Sequence, residues 1–270
     1  MRLACIQLCS GTDILANIEH ASRLIRDAAK AGADYIFTPE MTNIIQKSPK
    51  ALFESIATED YAPEIPFFAN LAKELSVHLL IGSMAIKTGE RRAVNRSYLF
   101  DPQGGLSATY DKIHLFDVDV SDTETWRESN IYDRGEQTVM AQMGPARLGM
   151  SICYDLRFAA LYRHYGQASV DIITVPAAFT RPTGQAHWET LLRARAIETG
   201  AFIIAPAQGG HHADGRKTWG HSLVISPWGD IIAHMDHDDE GYMVADIDLA
   251  DVSKARARIP AWAYEADYKI

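Results

Sequence analysis

The stretch Arg147–Phe158, with the sequence RLGMSICYDLRF, joins an apolar strand pattern to a helical one. The strand pattern stops at Cys153, and the residues after it carry charge. A thiol at a strand end and a helix start suits a nucleophile, because helix-terminal N–H groups favour a thiolate and can hold an oxyanion. The alternative is a small buried apolar cysteine, the commoner fate of a free cysteine. Partners elsewhere in the chain must decide between the two.

Strand and helix patterns alternate on both sides of this stretch, with hairpins between them. Helices are predicted over residues 14–32, 64–76, 158–165 and 186–198, with Asp13 and Gly32 as the caps of the first. Strands are predicted over residues 1–8, 34–38, 77–86, 95–100, 107–113, 171–175, 201–205, 222–225, 231–234 and 241–247. The polar residues 117–137 are predicted to form a long loop. This order predicts a mixed α/β fold with one domain over residues 1–270.

Composition narrows the class of protein. The 270 residues carry a net charge of −9, which argues against general nucleic-acid binding and fits a protein that handles a small molecule. Three cysteines are too few for a disulfide framework, so a reducing cytoplasm is the expected compartment. The first apolar run is too short for a signal peptide, and no run is long enough to cross a bilayer.

Two more reactive side chains follow apolar strand patterns directly, as Cys153 does. They are Glu40, after Pro39, and Lys112. Singly, Glu40 is more often a helix cap or an ion-pair partner, and Lys112 is more often exposed to solvent. Strand ends are a common place for active-site residues in α/β proteins. The three side chains together therefore predict one shared pocket.

Three sequence blocks resemble the signature motifs of the nitrilase, or carbon–nitrogen hydrolase, superfamily. They are Thr38–Met41 (TPEM), Tyr110–Phe116 (YDKIHLF) and Gly149–Phe158 (GMSICYDLRF), and the similarity follows this order over nearly the whole chain. The resemblance implies a four-layer α-β-β-α sandwich that assembles into a homodimer through its outer helices. It also implies that the protein uses neither a metal nor a cofactor.

The resemblance assigns roles to individual residues. Cys153 matches the nucleophile, and Glu40 matches the general base that takes its proton. Lys112 and the backbone N–H of Tyr154 match the groups that stabilise the tetrahedral intermediate, as a fixed ammonium does in a dry pocket. Glu128 matches the second active-site glutamate, with an ordinary exposed loop acid as the alternative. Attack on an amide then releases ammonia and leaves a thioester, which water hydrolyses.

Other blocks resemble the small-amidase branch of the superfamily, which includes ω-amidases and deaminated glutathione amidases. Leu191–Thr199 and Ala207–Gln208 are nearer to the second type. Because both types act on α-keto acids, a cation is expected in the pocket. Arg157, one helical turn beyond the thiol, is the predicted cation, with Phe179 and Thr183 as pocket walls. The alternative for Arg157 is a structural ion pair with a helix acid.

These patterns predict a cytoplasmic thiol amidase that acts on a small carboxylated amide. Deaminated glutathione is the first candidate, and an α-ketoglutaramate-type amide is the second. The alternatives are a carbamoyl-amide hydrolase and, from another class, a catalytically idle interaction module. The joint presence of the glutamate, lysine and cysteine argues against the idle module. The pair His211-His212 before Asp214 is more typical of a solvated loop than of a metal site.

Overall fold

The computed structural model describes residues 1–121 and 124–264. The helices are α1 (Ile14–Lys30), α2 (Pro49–Ser55), α3 (Glu64–Leu75), α4 (Ala159–Gln167), α5 (Arg181–Thr199) and α6 (Ala250–Arg258). Short 3₁₀ helices cover Glu59–Tyr61, Glu128–Asn130, Cys153–Arg157 and Pro260–Ala263. Within these two ranges, no helix is long and apolar enough to span a membrane.

The strands form two large sheets and two hairpins. The first sheet has the order β17-β1-β2-β3-β4-β5, with β8 beside β4. Its strands are β1 (Arg2–Gln7), β2 (Tyr35–Phe37), β3 (His78–Gly89), β4 (Arg92–Phe100), β5 (Leu106–Asp111), β8 (Tyr132–Asp133) and β17 (Gly241–Asp246). The second sheet has the order β16-β15-β12-β11-β10-β9. Its strands are β9 (Met140–Met143), β10 (Ala146–Met150), β11 (Ile172–Thr174), β12 (Phe202–Ala205), β15 (Leu223–Ile225) and β16 (Ile231–His234).

The hairpins lie outside both sheets. One joins β6 (Asp117–Ser121) to β7 (Glu124–Arg127), and the other joins β13 (Gly209–His211) to β14 (Lys217–Trp219). The polar segment predicted as one long loop therefore contains β6, β7, a 3₁₀ turn and β8.

The two sheets pack face to face, and each carries helices on its outer face. On β1, Leu3 and Cys5 share a buried core with the second sheet, whereas Ala4 and Ile6 pack among the residues of α1 and α3. This division follows from strand geometry, since successive side chains point to opposite faces. The outer face of the second sheet is covered by α4 and α5. The predicted four-layer α-β-β-α sandwich is confirmed.

The starts of two helices show where local sequence signals were sufficient to predict a helix boundary and where they were not. Asp13 caps α1 as predicted, because its side chain accepts a hydrogen bond from the Ala16 N–H at 3.1 Å. Helix α5 begins five residues before the predicted start, after Thr180. Pro182 suits its first turn, and Gly184 is needed there because a Cβ would overlap the Trp219 side chain. A glycine that weakens the helix pattern thus serves tertiary packing.

Candidate active site

A cavity of about 1080 Å³ lies where strands of both sheets end. The residues that line it include four of the predicted catalytic side chains: Glu40, Lys112, Glu128 and Cys153. Tyr154, Phe179 and Thr183 also line it. The structure thus brings Glu40 and Cys153, which are 113 positions apart in the sequence, into one cavity.

Cys153 sits on a sharp turn after β10. It is the first residue of a 3₁₀ helix and has a φ of 49°, in the left-handed region that non-glycine residues rarely adopt. Its N–H donates to the carbonyl of Pro176 at 2.9 Å, at the end of the neighbouring strand. Such backbone strain, of order 1–3 kcal/mol, persists only where the surrounding structure holds it. Here it presents the thiol to the cavity.

Glu40 follows β2 in a loop that lies tightly against β3. Gly82 allows this approach, because a Cβ there would overlap the carbonyl oxygens of Thr38 and Pro39. The Glu40 residue is 4% exposed. Its Oε1 lies 2.8 Å from the Lys112 Nζ that donates to it.

Two further donors hold the Glu40 carboxylate. The side-chain amide of Asn95 donates to Oε1 at 2.8 Å, and the backbone N–H of Ala178 donates to Oε2 at 2.9 Å. Sequence reasoning missed both residues. Asn95 interrupts a buried apolar strand, which is a weak signal for a site, and the Ala178 backbone group leaves no sequence signal.

Lys112 is 2% exposed and bridges two carboxylates. Besides Glu40, its Nζ donates to both carboxylate oxygens of Glu128, at 2.9 and 3.1 Å. Glu128 begins a 3₁₀ helix, and its Oε2 also accepts the Phe116 N–H at 2.6 Å. The structure therefore places Glu128 against the ammonium, which an ordinary exposed loop acid would not contact.

The protonation states follow from burial and from these pairs. Burial raises the pKa of Glu40, but the Lys112 ammonium and the hydrogen bonds outweigh it, so the pKa of Glu40 is lowered. Burial lowers the pKa of Lys112, but Glu128 and Glu40 raise it well above its ordinary value. The site thus holds the Glu40 carboxylate against the Lys112 ammonium.

Cys153 rests as a thiol. Burial, followed by the charge of Glu40, raises its pKa well above the ordinary value, and the Lys112 ammonium offsets this only in part. The expectation that the helix start favours a thiolate is therefore wrong for the resting state, since burial and a neighbouring carboxylate outweigh it. A thiol beside a carboxylate is poised to lose its proton only when it attacks.

Arg157 lies behind two residues of the cavity wall. Its guanidinium lies over the rings of Phe179 and Tyr154, at 5.4 and 5.8 Å from their centroids, and it is absent from the described residues that line the cavity. The prediction assumed an α-helical turn after Cys153. The segment is a 3₁₀ helix with three residues per turn, so the fourth residue on no longer shares the face of the thiol.

The alternative for Arg157, an ion pair with a helix acid, is not met. In residues 1–121 and 124–264, no carboxylate lies within ion-pair distance of its guanidinium. Its guanidinium instead contacts a histidine, with Nη1 3.3 Å from the Nδ1 atom of His187.

Asp155 joins the cysteine segment to the lysine segment. It is fully buried, and its carboxyl group accepts the hydroxyl of Tyr110 at 2.7 Å and the N–H of Ile152 at 2.9 Å. The N–H of His114 donates to it at 3.0 Å, and Nδ1 of the same histidine lies 2.7 Å away. Because Tyr110 and His114 flank Lys112 in sequence, this carboxyl group ties the lysine to the strand end that carries the thiol.

The two adjacent histidines have different environments. His211 is exposed, whereas His212 is buried, with its ring nitrogens 2.8 Å from the Ser10 carbonyl and 2.7 Å from the Thr218 hydroxyl. The expectation of a solvated pair is therefore wrong for His212, which fastens a hairpin. Among the described residues, no group of three or more histidine, cysteine or acidic side chains is arranged to hold a metal.

Comparison with known proteins finds likeness over nearly the whole chain. The carbon-nitrogen hydrolase family profile matches residues 2–257. A deaminated glutathione amidase from Yersinia enterocolitica is 40% identical over 233 residues, covering 85% of this chain and 81% of that protein. The human omega-amidase NIT2 is 34% identical over 266 residues, covering 97% and 93%. The crystal structure of the C. elegans NitFhit protein matches with a TM-score of 0.88 at 30% identity, and this chain spans 64% of its length.

Proposed function

This chain belongs to the carbon–nitrogen hydrolase family, and from that premise we propose that it is a thiol amidase acting on a small carboxylated amide. The observation that carries the proposal is the buried contact of Lys112 with Glu40, 2.8 Å apart, beside the Cys153 thiol in one cavity. A nucleophile, a base and a fixed positive charge are the three groups that acyl transfer requires.

The first half of the reaction forms a thioester. Glu40 takes the thiol proton as Sγ of Cys153 bonds to the amide carbon, and the carbonyl oxygen becomes an oxyanion. The ammonium of Lys112 and the backbone N–H of Tyr154 stabilise that oxyanion. When the intermediate collapses, the carbon–nitrogen bond breaks and the protonated Glu40 gives its proton to the leaving nitrogen, so ammonia or an amine departs.

The second half restores the thiol. Glu40 takes a proton from water as the water oxygen attacks the thioester carbon, and the same donors stabilise the second oxyanion. Collapse breaks the carbon–sulfur bond, the carboxylic acid leaves, and Glu40 returns the proton to sulfur. Glu128 keeps Lys112 charged and in place throughout, through its two contacts at 2.9 and 3.1 Å.

Deaminated glutathione is the first candidate substrate, since the Yersinia relative that bears this activity in its name is 40% identical. An α-ketoglutaramate-type amide is the second, because the human relative at 34% identity is named an omega-amidase. Phe179 and Thr183 line the cavity and are proposed as walls for either substrate.

A panel of amides tests the proposal. Deaminated glutathione, α-ketoglutaramate and an N-carbamoyl amino acid are incubated with the enzyme and with the Cys153→Ala variant, and released amine, ammonia and carbon dioxide are measured. We expect amine from the first or ammonia from the second, and no product from the variant. Carbon dioxide release indicates the carbamoyl-amide hydrolase instead. No turnover of any amide, with no preferential alkylation of Cys153 over Cys5 and Cys9, indicates the idle module.

We also propose that residues 1–270 form one domain, that the protein is cytoplasmic and that it is a homodimer. All three cysteines are free, which suits a reducing compartment. Ile197, Trp228 and Ile259 are about half exposed on the α5 and α6 side of the fold, which suits an interface there. Light scattering after gel filtration tests the dimer, and a monomeric mass contradicts it.

A further inference from the structure

Two histidines of the second sheet lie side by side, away from the residues of the cavity. His221 comes just before β15, and His234 is the last residue of β16, the neighbouring strand. Nδ1 of His221 and Nε2 of His234 are 3.4 Å apart, and the two rings are tilted by 39°. Neither histidine belongs to the described residues that line the cavity. The proposed amidase mechanism therefore makes no use of this pair.

The separation of the two nitrogen atoms suits one shared metal ion. Hydrogen bonds donated by N–H groups usually join heavy atoms about 2.7–3.2 Å apart, so 3.4 Å is long for such a bond. Zinc binds histidine nitrogens at about 2.0–2.1 Å in tetrahedral sites, which places two such ligands about 3.3 Å from each other. The observed spacing is close to that value.

His221 is held in place before any metal binds. Its φ is 56°, in the left-handed region, and such strain persists only where neighbouring groups hold it. The His221 carbonyl accepts the indole N–H of Trp188 at 2.8 Å, and its N–H donates to the His237 carbonyl at 3.1 Å. The imidazole stacks on the ring of Trp219, with centroids 4.1 Å apart and planes 16° apart. One ligand is thus preorganised by contacts with its surroundings.

His234 leaves the pair open to solvent. It is exposed on β16, which is an edge strand of the second sheet, whereas His221 is half-buried. A metal ion can therefore reach both nitrogens without a change in the fold. Two histidines occupy half of a tetrahedral coordination shell, and water can supply the other two ligands from the exposed side.

The groups around the His221 ring favour its metal-binding form. Burial lowers the pKa of His221, and the neighbouring His234, His237 and Arg181 lower it further, whereas Asp236 raises it. The ring is therefore neutral at neutral pH, which is the form that binds a metal. The carboxylate of Asp236 also acts on this ring, and a negative charge at that range attracts a cation.

A second pair of side chains is less suited to the same ion. Sγ of Cys9 lies 3.7 Å from Nδ1 of His212. That nitrogen lies 2.8 Å from the Ser10 carbonyl, which can only accept, and Nε2 lies 2.7 Å from the Thr218 hydroxyl. Both ring nitrogens of His212 are thus occupied, and burial raises the pKa of Cys9, which disfavours the thiolate that zinc needs.

We propose that His221 and His234 bind Zn²⁺ as two ligands of a tetrahedral site that water completes. In the metal-free pair, one of the two facing nitrogens donates its N–H to the other. Binding releases that proton to solvent, and the far nitrogen of the same ring takes one up, so both rings stay neutral. The proposal is independent of the amidase reaction.

A zinc titration in competition with a chromophoric chelator tests the site at neutral pH. It compares the wild type with His234→Gln and with His187→Gln, a matched control that removes an exposed histidine outside the pair. Changes outside the ligand shell already cost about 10- to 100-fold in metal affinity, so we expect His234→Gln to lose at least about tenfold. The control should change less than about threefold.

Two further measurements separate this site from thiol sites and from misfolding. The double variant Cys9→Ser with Cys153→Ala should keep the wild-type zinc affinity. Thermal melts without zinc check that each variant folds, and added zinc should raise the melting temperature of the wild type more than that of His234→Gln. The proposal is overturned by a loss below tenfold in His234→Gln, by an equal loss in His187→Gln, or by zinc binding that disappears in the double variant. A wild type that binds no zinc at micromolar concentration also overturns it.

Discussion

Glu40 and Asp155 are both buried carboxyl groups close to Cys153, the proposed nucleophile, yet of the two only Glu40 lines the cavity. Glu40 contacts the Lys112 ammonium at 2.8 Å and interacts with the thiol. Asp155 instead accepts hydrogen bonds from the Tyr110 hydroxyl and from backbone N–H groups of segments that belong to different sheets. The comparison shows that burial alone does not indicate chemistry. A carboxylate that lines a cavity and contacts a cation can accept and donate a proton. A carboxylate whose oxygens are occupied by hydrogen-bond donors stabilises the fold instead.

The substitution Glu40→Gln should have the largest effect. It preserves size and the contact with Lys112 but removes the base, so we expect kcat to fall about 10²- to 10⁴-fold, the usual range for general base catalysis. Product release from the best amide of the panel measures this, with a thermal melt as the control for folding. Activity within tenfold of the wild type would show that Glu40 is not the general base. Glu40 and Asp155 would then not differ in the way described above.

Asp155→Asn should act on stability as much as on rate. The amide NH2 of the new asparagine is a donor at a position where several donors already converge. Buried donors therefore lose their acceptor, which lowers the free energy of unfolding by about 1–3 kcal/mol. We expect a melting temperature lower by about 2 °C or more per kcal/mol and kcat/KM lower by about tenfold through displaced catalytic groups. If kcat/KM fell as far as in Glu40→Gln while the stability stayed unchanged, Asp155 would take part in the reaction and its role would not be only structural.

The pH dependence of kcat/KM and of stability should follow the ionisation of Glu40. Because its pKa in the folded protein is lowered, the carboxylate is available across the neutral range, and kcat/KM should fall only as the pH drops through that lowered pKa, below the ordinary value of 4.5. Its contribution to stability is likewise complete above 4.5 and is lost as the pH falls through the folded-state value. Glu40→Gln should therefore flatten the acid dependence of unfolding. An acid limb of kcat/KM in the wild type centred above pH 6 would contradict the assignment.

Tyr110→Phe should have the smallest effect. It removes one of the donors to Asp155 and leaves the others, so we expect a loss of about 0.5–1.5 kcal/mol in the free energy of unfolding and less than about a threefold change in kcat. Tyr162→Phe is the matched control, since that buried hydroxyl contacts Ser151 at 2.8 Å and lies outside the contacts of Asp155. Urea unfolding compares the two. A large loss of kcat in Tyr110→Phe alone would make the tyrosine part of the catalytic apparatus.

Local patterns predicted which three reactive side chains share the cavity, because the signals are local. Glu40, Lys112 and Cys153 each follow an apolar strand run directly, and sheet geometry brings strand ends to one edge. The position of Arg157 relative to the thiol could not be predicted, because an α-turn and a 3₁₀ turn differ in residues per turn and the sequence of this short segment does not distinguish them. Asn95 and the Ala178 N–H were missed because a single polar residue in a buried strand and a backbone group carry little signal.

The sequence by itself determined a mixed α/β fold, since periodicity and strand breakers depend on near neighbours. Its resemblance to a known family implied the four layers and the amide chemistry. The sequence also determined that a thiol, a carboxylate and an ammonium end three strands. The tertiary structure decided their charge states, because burial and contacts between distant segments set each pKa. It also decided which buried carboxylate faces the cavity, because this depends on how the two sheets and the hairpins pack.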